Sequence, residues 1–236
     1  MKNTMTENKQ TPVTAQTTAT EGNLVSFWNA NGKKIGIVLG AIIVLTGGYF
    51  AYKAYVVAPK EEKAAEAMFQ AETYFKMDSV KQALNGDNLN PGFLKIISKY
   101  GGTKAANLAH FYAGNCYLKL GDFNNAVKQL KDFSTDAVQV EARALSLLGD
   151  AYSELGKKED AIAAYKKAGN LFEEDESNSP GYLFRAGYLY ESMGKNKEAI
   201  EIYKLIKKKY PRSVMPAAQG GQDIDKYLAR LGETGE

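Results

Sequence analysis

The chain has 236 residues and a formal net charge of +3, and the excess of positive charge lies in residues 1–59, which leaves residues 60–236 electrically balanced. A balanced surface excludes a typical nucleic-acid-binding protein, because such proteins carry a net basic surface. The single cysteine and the single histidine exclude an intrachain disulfide bond and a histidine-rich metal site.

The first segment, residues 1–32, is rich in threonine and in amide side chains and holds little apolar mass. A segment of this composition cannot bury enough apolar surface to offset the conformational entropy that ordering costs. The composition therefore predicts a disordered tail over residues 1–32.

An uncharged apolar run follows, from Ile35 to Tyr52, and it predicts a single transmembrane helix over residues 33–58. At about 1.5 Å per residue, such a helix can cross a hydrocarbon core of roughly 30 Å. A cleaved signal peptide is the alternative, but 34 residues precede the run and no small-residue cleavage site closes it. Lysines flank the run on both sides, so the positive-inside rule does not decide the topology.

Small residues recur along one face of this predicted helix. Because small side chains let helix backbones approach closely within a bilayer, this face is predicted to pack against a partner helix. Its members are Gly36, Gly40, Gly47 and Ala51.

Three later segments repeat one pattern, and they begin at Phe111, Ser146 and Phe184. Each has a glycine, an aromatic residue three positions later, a second glycine seven positions after the first, and an alanine five positions after that. The members are Gly114, Tyr117, Gly121 and Ala126; Gly149, Tyr152, Gly156 and Ala161; and Gly187, Tyr190, Gly194 and Ala199.

The residue types of this pattern have physical reasons in a helical hairpin. The first glycine suits a point where the second helix packs closely against the first, and the second glycine suits a left-handed helix end. Single hairpins cannot bury their own apolar faces, so they stack. The pattern predicts an all-α helical solenoid with three clear repeats over residues 105–215.

Weaker signals extend the solenoid in both directions. An apolar stripe of Ala64, Met68, Ala71 and Phe75 predicts a helix, and residues 59–104 are predicted to be a degenerate first repeat with an insertion at 78–91. Apolar residues at the other end, from Ile224 to Leu231, predict a capping helix within a C-terminal segment 216–236.

No phosphate-binding loop, paired-cysteine motif or zinc-protease motif is present. The sequence therefore predicts a protein that is not an enzyme, with no cofactor, no metal, no nucleic acid and no small-molecule substrate. The candidate site is instead the concave face of the solenoid, which is predicted to bind a protein partner. In phase with the glycines, its residues are Phe111, Asn115, Lys119, Arg143, Asp150, Glu154, Phe184, Tyr188 and Glu191.

The repeats resemble the tetratricopeptide family over residues 105–213 and more weakly over 61–104. The whole layout resembles the YfgM-like bacterial family: one anchor near residue 35, a helix directly after it, the motif YGGT at 100–103 followed by LA at 108–109, and repeats to the end. That resemblance implies an ancillary subunit of the SecYEG translocon, which crosses the inner (cytoplasmic) membrane once and has a periplasmic C-terminal domain. The implied partners are export-channel subunits, periplasmic chaperones or translocating polypeptides. A structural scaffold subunit of another bacterial membrane complex is the alternative.

Overall fold

The computed structural model describes the backbone of residues 14–212 and 223–233, and the side chains of residues 26–212 and 223–233. Within those residues the chain forms α-helices and no β-strand. It divides into two units, one up to Ala58 and one from Pro59 onwards. The helices are α1 (Thr14–Tyr52), α2 (Ala58–Lys76), α3 (Val80–Asn85), α4 (Phe93–Tyr100), α5 (Lys104–Lys119), α6 (Phe123–Asp132), α7 (Val138–Glu154), α8 (Lys158–Leu171), α9 (Ser179–Ser192), α10 (Asn196–Lys209) and α11 (Ile224–Arg230).

The first unit consists of α1 and a π-helical segment, Lys53–Val57. The helical stretch Ser26–Lys76 is long enough and apolar enough to cross a membrane, and a signal sequence would have the same length and composition. The side chains from Gly36 to Phe50 are exposed.

The structure differs from the predicted disordered tail over residues 14–32, which are helical as part of α1. The first 13 residues lie outside the described part of the chain. Starting a helix is costly, but adding residues to an existing helix costs little, because each added residue brings one hydrogen bond. The apolar run supplies that existing helix. The side chain of Asn31 also supports the extension by donating to the carbonyl of Phe27 at 3.2 Å.

The second unit is a series of helical hairpins, so the predicted all-α repeat class is confirmed. The pairs α5–α6, α7–α8 and α9–α10 are the three clear repeats, and α2 with α4 forms the degenerate first repeat. Short α3 lies in the insertion between α2 and α4. Helix α11 follows the last pair, and its Ile224 and Leu228 are buried against α9 and α10.

Close helix packing explains the first glycine of each repeat. A Cβ atom at Gly149 would lie 2.6 Å from the ring of Tyr165, and one at Gly187 would lie 2.7 Å from the ring of Tyr203. No side chain fits in that space. The second glycines end the first helices with positive φ angles, as at Gly121, where φ is 76°, and such angles favour glycine.

Two side chains hold the start of α5, one from α2 and one from the N-cap of α5 itself. The carboxylate of Glu61 accepts hydrogen bonds from the backbone N–H groups of Lys104 at 2.9 Å and Ala105 at 3.1 Å, while Thr103 accepts from Ala106 at 3.0 Å. A carboxylate at a helix N-terminus satisfies unpaired donors and complements the helix dipole. The degenerate first repeat is thereby tied to the first clear one.

Candidate functional site

A groove of about 710 Å³ opens between the first helices of four consecutive hairpins, α2, α5, α7 and α9. The loop before α9 closes one side. Its lining mixes aromatic rings, side-chain amides and one residue of each charge. The lining residues are Phe75, Leu108, Phe111, Tyr112, Asn115, Gln139, Val140, Arg143, Asp175, Ser177, Asn178 and Tyr182.

Helical spacing places these residues together. On α5 the lining positions are 108, 111, 112 and 115, which recur at intervals of three and four, and on α7 they are 139, 140 and 143. Residues at such intervals lie on the same face of a helix. Helices α5 and α7 therefore each present one stripe to the groove, while α2 and α9 contribute one residue each, Phe75 and Tyr182.

A cluster of aromatic rings forms one wall of the groove. The ring of Tyr112 lies 5.2 Å from that of Phe75 and 5.5 Å from that of Phe111, measured between centroids. Behind them Phe93 of α4 is fully buried and is stacked on Tyr112, with centroids 5.1 Å apart and planes 8° apart. Stacked and edge-to-face contacts of this kind hold aromatic rings in fixed positions.

Arg143 is the cation of the groove. No carboxylate of the described residues forms an ion pair with it. The nearby carboxylate of Asp175 accepts instead from the backbone N–H groups of Ser177 and Asn178 and from the Asn178 side chain, at 2.9–3.1 Å. Burial raises the pKa of Tyr182, and the Arg143 guanidinium beside its hydroxyl acts in the opposite direction.

Only three of the nine predicted face residues, Phe111, Asn115 and Arg143, line this groove. Two others are engaged within the chain. Asp150 accepts from Arg185 at 2.7 and 3.0 Å and from the hydroxyl of Tyr165 at 2.6 Å.

Glu191 is engaged in the same way as Asp150. It accepts from the Tyr203 hydroxyl at 3.1 Å and pairs with Arg230 at 2.6 Å. Both tyrosines stand 16 residues after the first glycine of their repeat, where the first repeat has Leu130. Asp150 of the second repeat and Glu191 of the third are therefore occupied by the chain's own side chains, whereas Asn115, which has the position of Asp150 in the first repeat, lines the open groove.

The remaining four predicted face residues lie outside the groove. Lys119 forms an ion pair with Asp78, and its Nζ atom lies 5.3 Å from the centroid of the Phe75 ring. Phe184 is half-buried and packs against the rings of Tyr203 and Tyr227. The other two, Tyr188 and Glu154, are exposed.

Sequence reasoning missed several groove residues, among them Tyr112, Tyr182 and the loop at 175–178. Tyr112 is one position beyond the predicted Phe111, and the stripe on α2 that ends at Phe75 pointed to the same wall. The loop carried no local signal, since its place in the groove depends on how α9 packs beside α7.

The described residues contain no group of three or more histidine, cysteine, aspartate or glutamate side chains that could hold a metal ion. The imidazole Nδ1 of His110 forms a hydrogen bond with the side-chain oxygen of Gln129 at 2.7 Å. Cys116 is fully buried, and burial raises the pKa of its thiol to about 12. A thiol in this state is not a nucleophile at neutral pH.

On α1, the predicted packing face is unobstructed. A Cβ atom added at Gly36, Gly40 or Gly47 would meet nothing within 4 Å, and Ala51 is exposed. A role for this face in binding a partner helix stays a prediction.

Comparisons with known proteins give tetratricopeptide-type matches along most of the chain. The tetratricopeptide repeat-like domain family matches residues 25–148, and two tetratricopeptide repeat families match residues 142–173 and 182–213. Among solved structures, a crystal structure of MamA protein is 21% identical, with a TM-score of 0.45 over 73% of this chain and 91% of that one. A second crystal structure of MamA is 24% identical, with a TM-score of 0.38 over 60% of this chain and 87% of that one. No curated protein sequence matches the chain.

Proposed function

The chain belongs to the tetratricopeptide repeat-like domain family, and we propose that it is a membrane-anchored module that holds partner proteins in the groove between α2, α5, α7 and α9. Stacked repeats of this type are protein-interaction scaffolds, because they present extended surfaces made of successive helices. The observation that carries the proposal is this open groove, lined by aromatic rings and by Arg143, in contrast to Asp150 and Glu191, which are paired within the chain.

The groove has the composition of a protein-binding surface. Its aromatic rings are held rigidly, so that a partner buries them without a large loss of side-chain entropy. An arginine and side-chain amides lie beside these rings and can fix the direction of a bound chain. Tyrosine and arginine are the residues that most often dominate binding energy at protein interfaces.

We expect the groove to be the contact point, and site-specific photo-crosslinking tests this. A photoreactive amino acid at Asn115, on the groove wall, should give cross-linked products in living cells. The same amino acid at Lys167, which is exposed on α8 outside the groove, should not give these products. Equal products from both positions, or none from either, would contradict the proposal.

In its finer form, the proposal names the protein-export channel as the membrane complex, with translocating polypeptides or periplasmic chaperones as further partners. The resemblance of the layout to the YfgM-like family supports it. Purification of cross-linked complexes in mild detergent identifies the partner. Recovery of subunits of a different membrane complex would contradict the assignment to the export channel. If Gly36, Gly40, Gly47 and Ala51 contact a partner helix, isoleucine at Gly40 and Gly47 should release that subunit during the same purification, because larger side chains hold helix backbones apart.

We also propose that α1 crosses the inner membrane once and that the repeats lie in the periplasm. Protease added to cells with an opened outer membrane should then degrade residues 60–236, while intact cells protect them. A cytoplasmic repeat domain would survive until the inner membrane is lysed. If the apolar run is instead a cleaved signal sequence, the N-terminus of the mature protein will lie within or after that run.

A further inference from the structure

We propose that the groove selects an extended peptide with an acidic residue in mid-chain, beside an aromatic or large aliphatic residue. The acidic side chain pairs with Arg143, and its apolar neighbour packs on the wall of Phe75 and Tyr112. This inference rests on the proposed function, which it deepens by stating the chemistry of the partner.

The next interface along the solenoid shows what Arg143 lacks. There Arg185 of α9 reaches back to Asp150 of α7, with both carboxylate oxygens within 3.0 Å of the guanidinium. Asp150 follows the first glycine of its repeat, and Arg185 stands two positions before the first glycine of the next repeat. At the preceding interface these two positions hold Asn115 and Leu147, so neither member of the ion pair is present there, and Arg143 stands one helical turn before Leu147.

The groove leaves donor capacity on Arg143. A guanidinium has five N–H donors. Arg143 hydrogen-bonds the Tyr182 hydroxyl and forms no ion pair with a carboxylate of the described residues. The one acidic residue of the lining, Asp175, already accepts three hydrogen bonds from its own loop. A charge-assisted pair with an incoming carboxylate is the interaction that this arrangement lacks.

The position of Arg143 favours a carboxylate in mid-chain over one at a C-terminus. Arg143 stands on α7, the third of the four helices that line the groove. Side-chain amides lie on both sides of α7, with Asn115 on α5 and Asn178 in the loop before α9. These amides can bond the main chain of a peptide that continues in both directions past the arginine.

The test uses the full chain in lipid nanodiscs and a phage-displayed library of random 12-residue peptides, with empty nanodiscs to remove lipid binders. Wild type should enrich peptides that carry an aspartate or glutamate next to an aromatic or aliphatic residue. The Arg143→Glu variant should no longer enrich these acidic peptides, and it should instead enrich peptides with lysine or arginine at the position of the acidic residue. Lys167→Glu is the matched control, because Lys167 is exposed on α8 outside the groove, and it should select as wild type does.

Synthetic peptides make the test quantitative. Replacing the selected acidic residue by its amide should weaken binding to wild type on the order of tenfold, and should change binding to Arg143→Gln by less than twofold. Amidation of the peptide C-terminus should leave the affinity unchanged. A loss on amidation would overturn the mid-chain assignment.

Failure of this inference can be told from failure of the proposed function. Asn115→Trp fills the groove, so it should abolish the binding of every peptide that occupies the groove. If the selected peptides lose binding to Asn115→Trp but show no preference for an acidic residue, the inference is overturned and the proposed function stands. Peptides that Asn115→Trp leaves unchanged, or no enrichment at all, would overturn both.

Discussion

Replacing Gly149 by leucine is expected to lower the free energy of unfolding by about 3 kcal/mol, near the upper end of the usual cost of overpacking. Even the first added carbon, Cβ, would lie 2.6 Å from two ring carbons of Tyr165. The ring cannot turn aside, because it is 4% exposed and its hydroxyl donates to Asp150 at 2.6 Å. The leucine must therefore separate α7 from α8. Urea unfolding of the full chain in detergent, followed by circular dichroism, measures the change.

Gly181→Ala is the matched control for this prediction. Gly181 lies in α9 with a Cβ position that meets nothing within 4 Å, so alanine there should keep stability within about 1 kcal/mol of wild type. The expected sign is a gain, since alanine restricts the unfolded chain more than glycine does. Similar losses at both positions would show that the close contact of α7 and α8 is not what requires Gly149.

The helical repeats could be predicted from the sequence because their signals are local. The spacing from Gly149 to Gly156 lies within a single helix and its end, and steric rules for glycine hold there whatever the rest of the chain does. The structure shows the expected cause at each of these points, a close ring at Gly149 and a φ of 70° at Gly156.

The site could be predicted only in part, because it depends on pairs of residues that are far apart in sequence. Asp150 has the right helical phase for an exposed face, and only its pairing with Arg185, 35 residues later, removes it from that face. Helical phase says which way a side chain points, but it does not say whether a neighbouring hairpin supplies a partner. Arg143 lies in the groove lining, and among the described residues no carboxylate forms an ion pair with it; its role in binding a partner stays a prediction.

The ion pair between Asp150 and Arg185 contributes little to the stability of the later repeats. The Arg185 and Asp150 side chains are 48% and 34% exposed, and ion pairs at that exposure contribute little because water screens them. Together with the Tyr165 hydroxyl, however, they occupy the donors and acceptors that a partner would need. Asp150 and Arg185 thus satisfy each other within the chain, whereas Arg143 in the groove forms no ion pair among the described residues.

Replacing Phe93 by alanine is expected to lower the free energy of unfolding by about 3–5 kcal/mol, the usual cost of removing a buried aromatic ring. Phe93 is fully buried in the core that α2, α4 and α5 share. The matched control is Phe69→Ala, since Phe69 on α2 is 74% exposed and its removal should change stability by less than about 0.5 kcal/mol. Thermal unfolding of both full-length variants in the same detergent compares them directly.

The same substitution should also impair the groove, although Phe93 does not line it. Phe93 supports the wall from behind, through its stack on Tyr112 and its edge contact with Phe75, whose centroid is 6.4 Å away. Phe93→Leu keeps most of the buried volume, so it should remain folded at a cost of about 1 kcal/mol, yet it removes the stack. Cross-linking from Asn115 should therefore fall in Phe93→Leu and stay at the wild-type level in Phe69→Ala. Unchanged cross-linking in Phe93→Leu would mean that the partner does not use the aromatic wall, and binding would then rest on Arg143 and the amides around it.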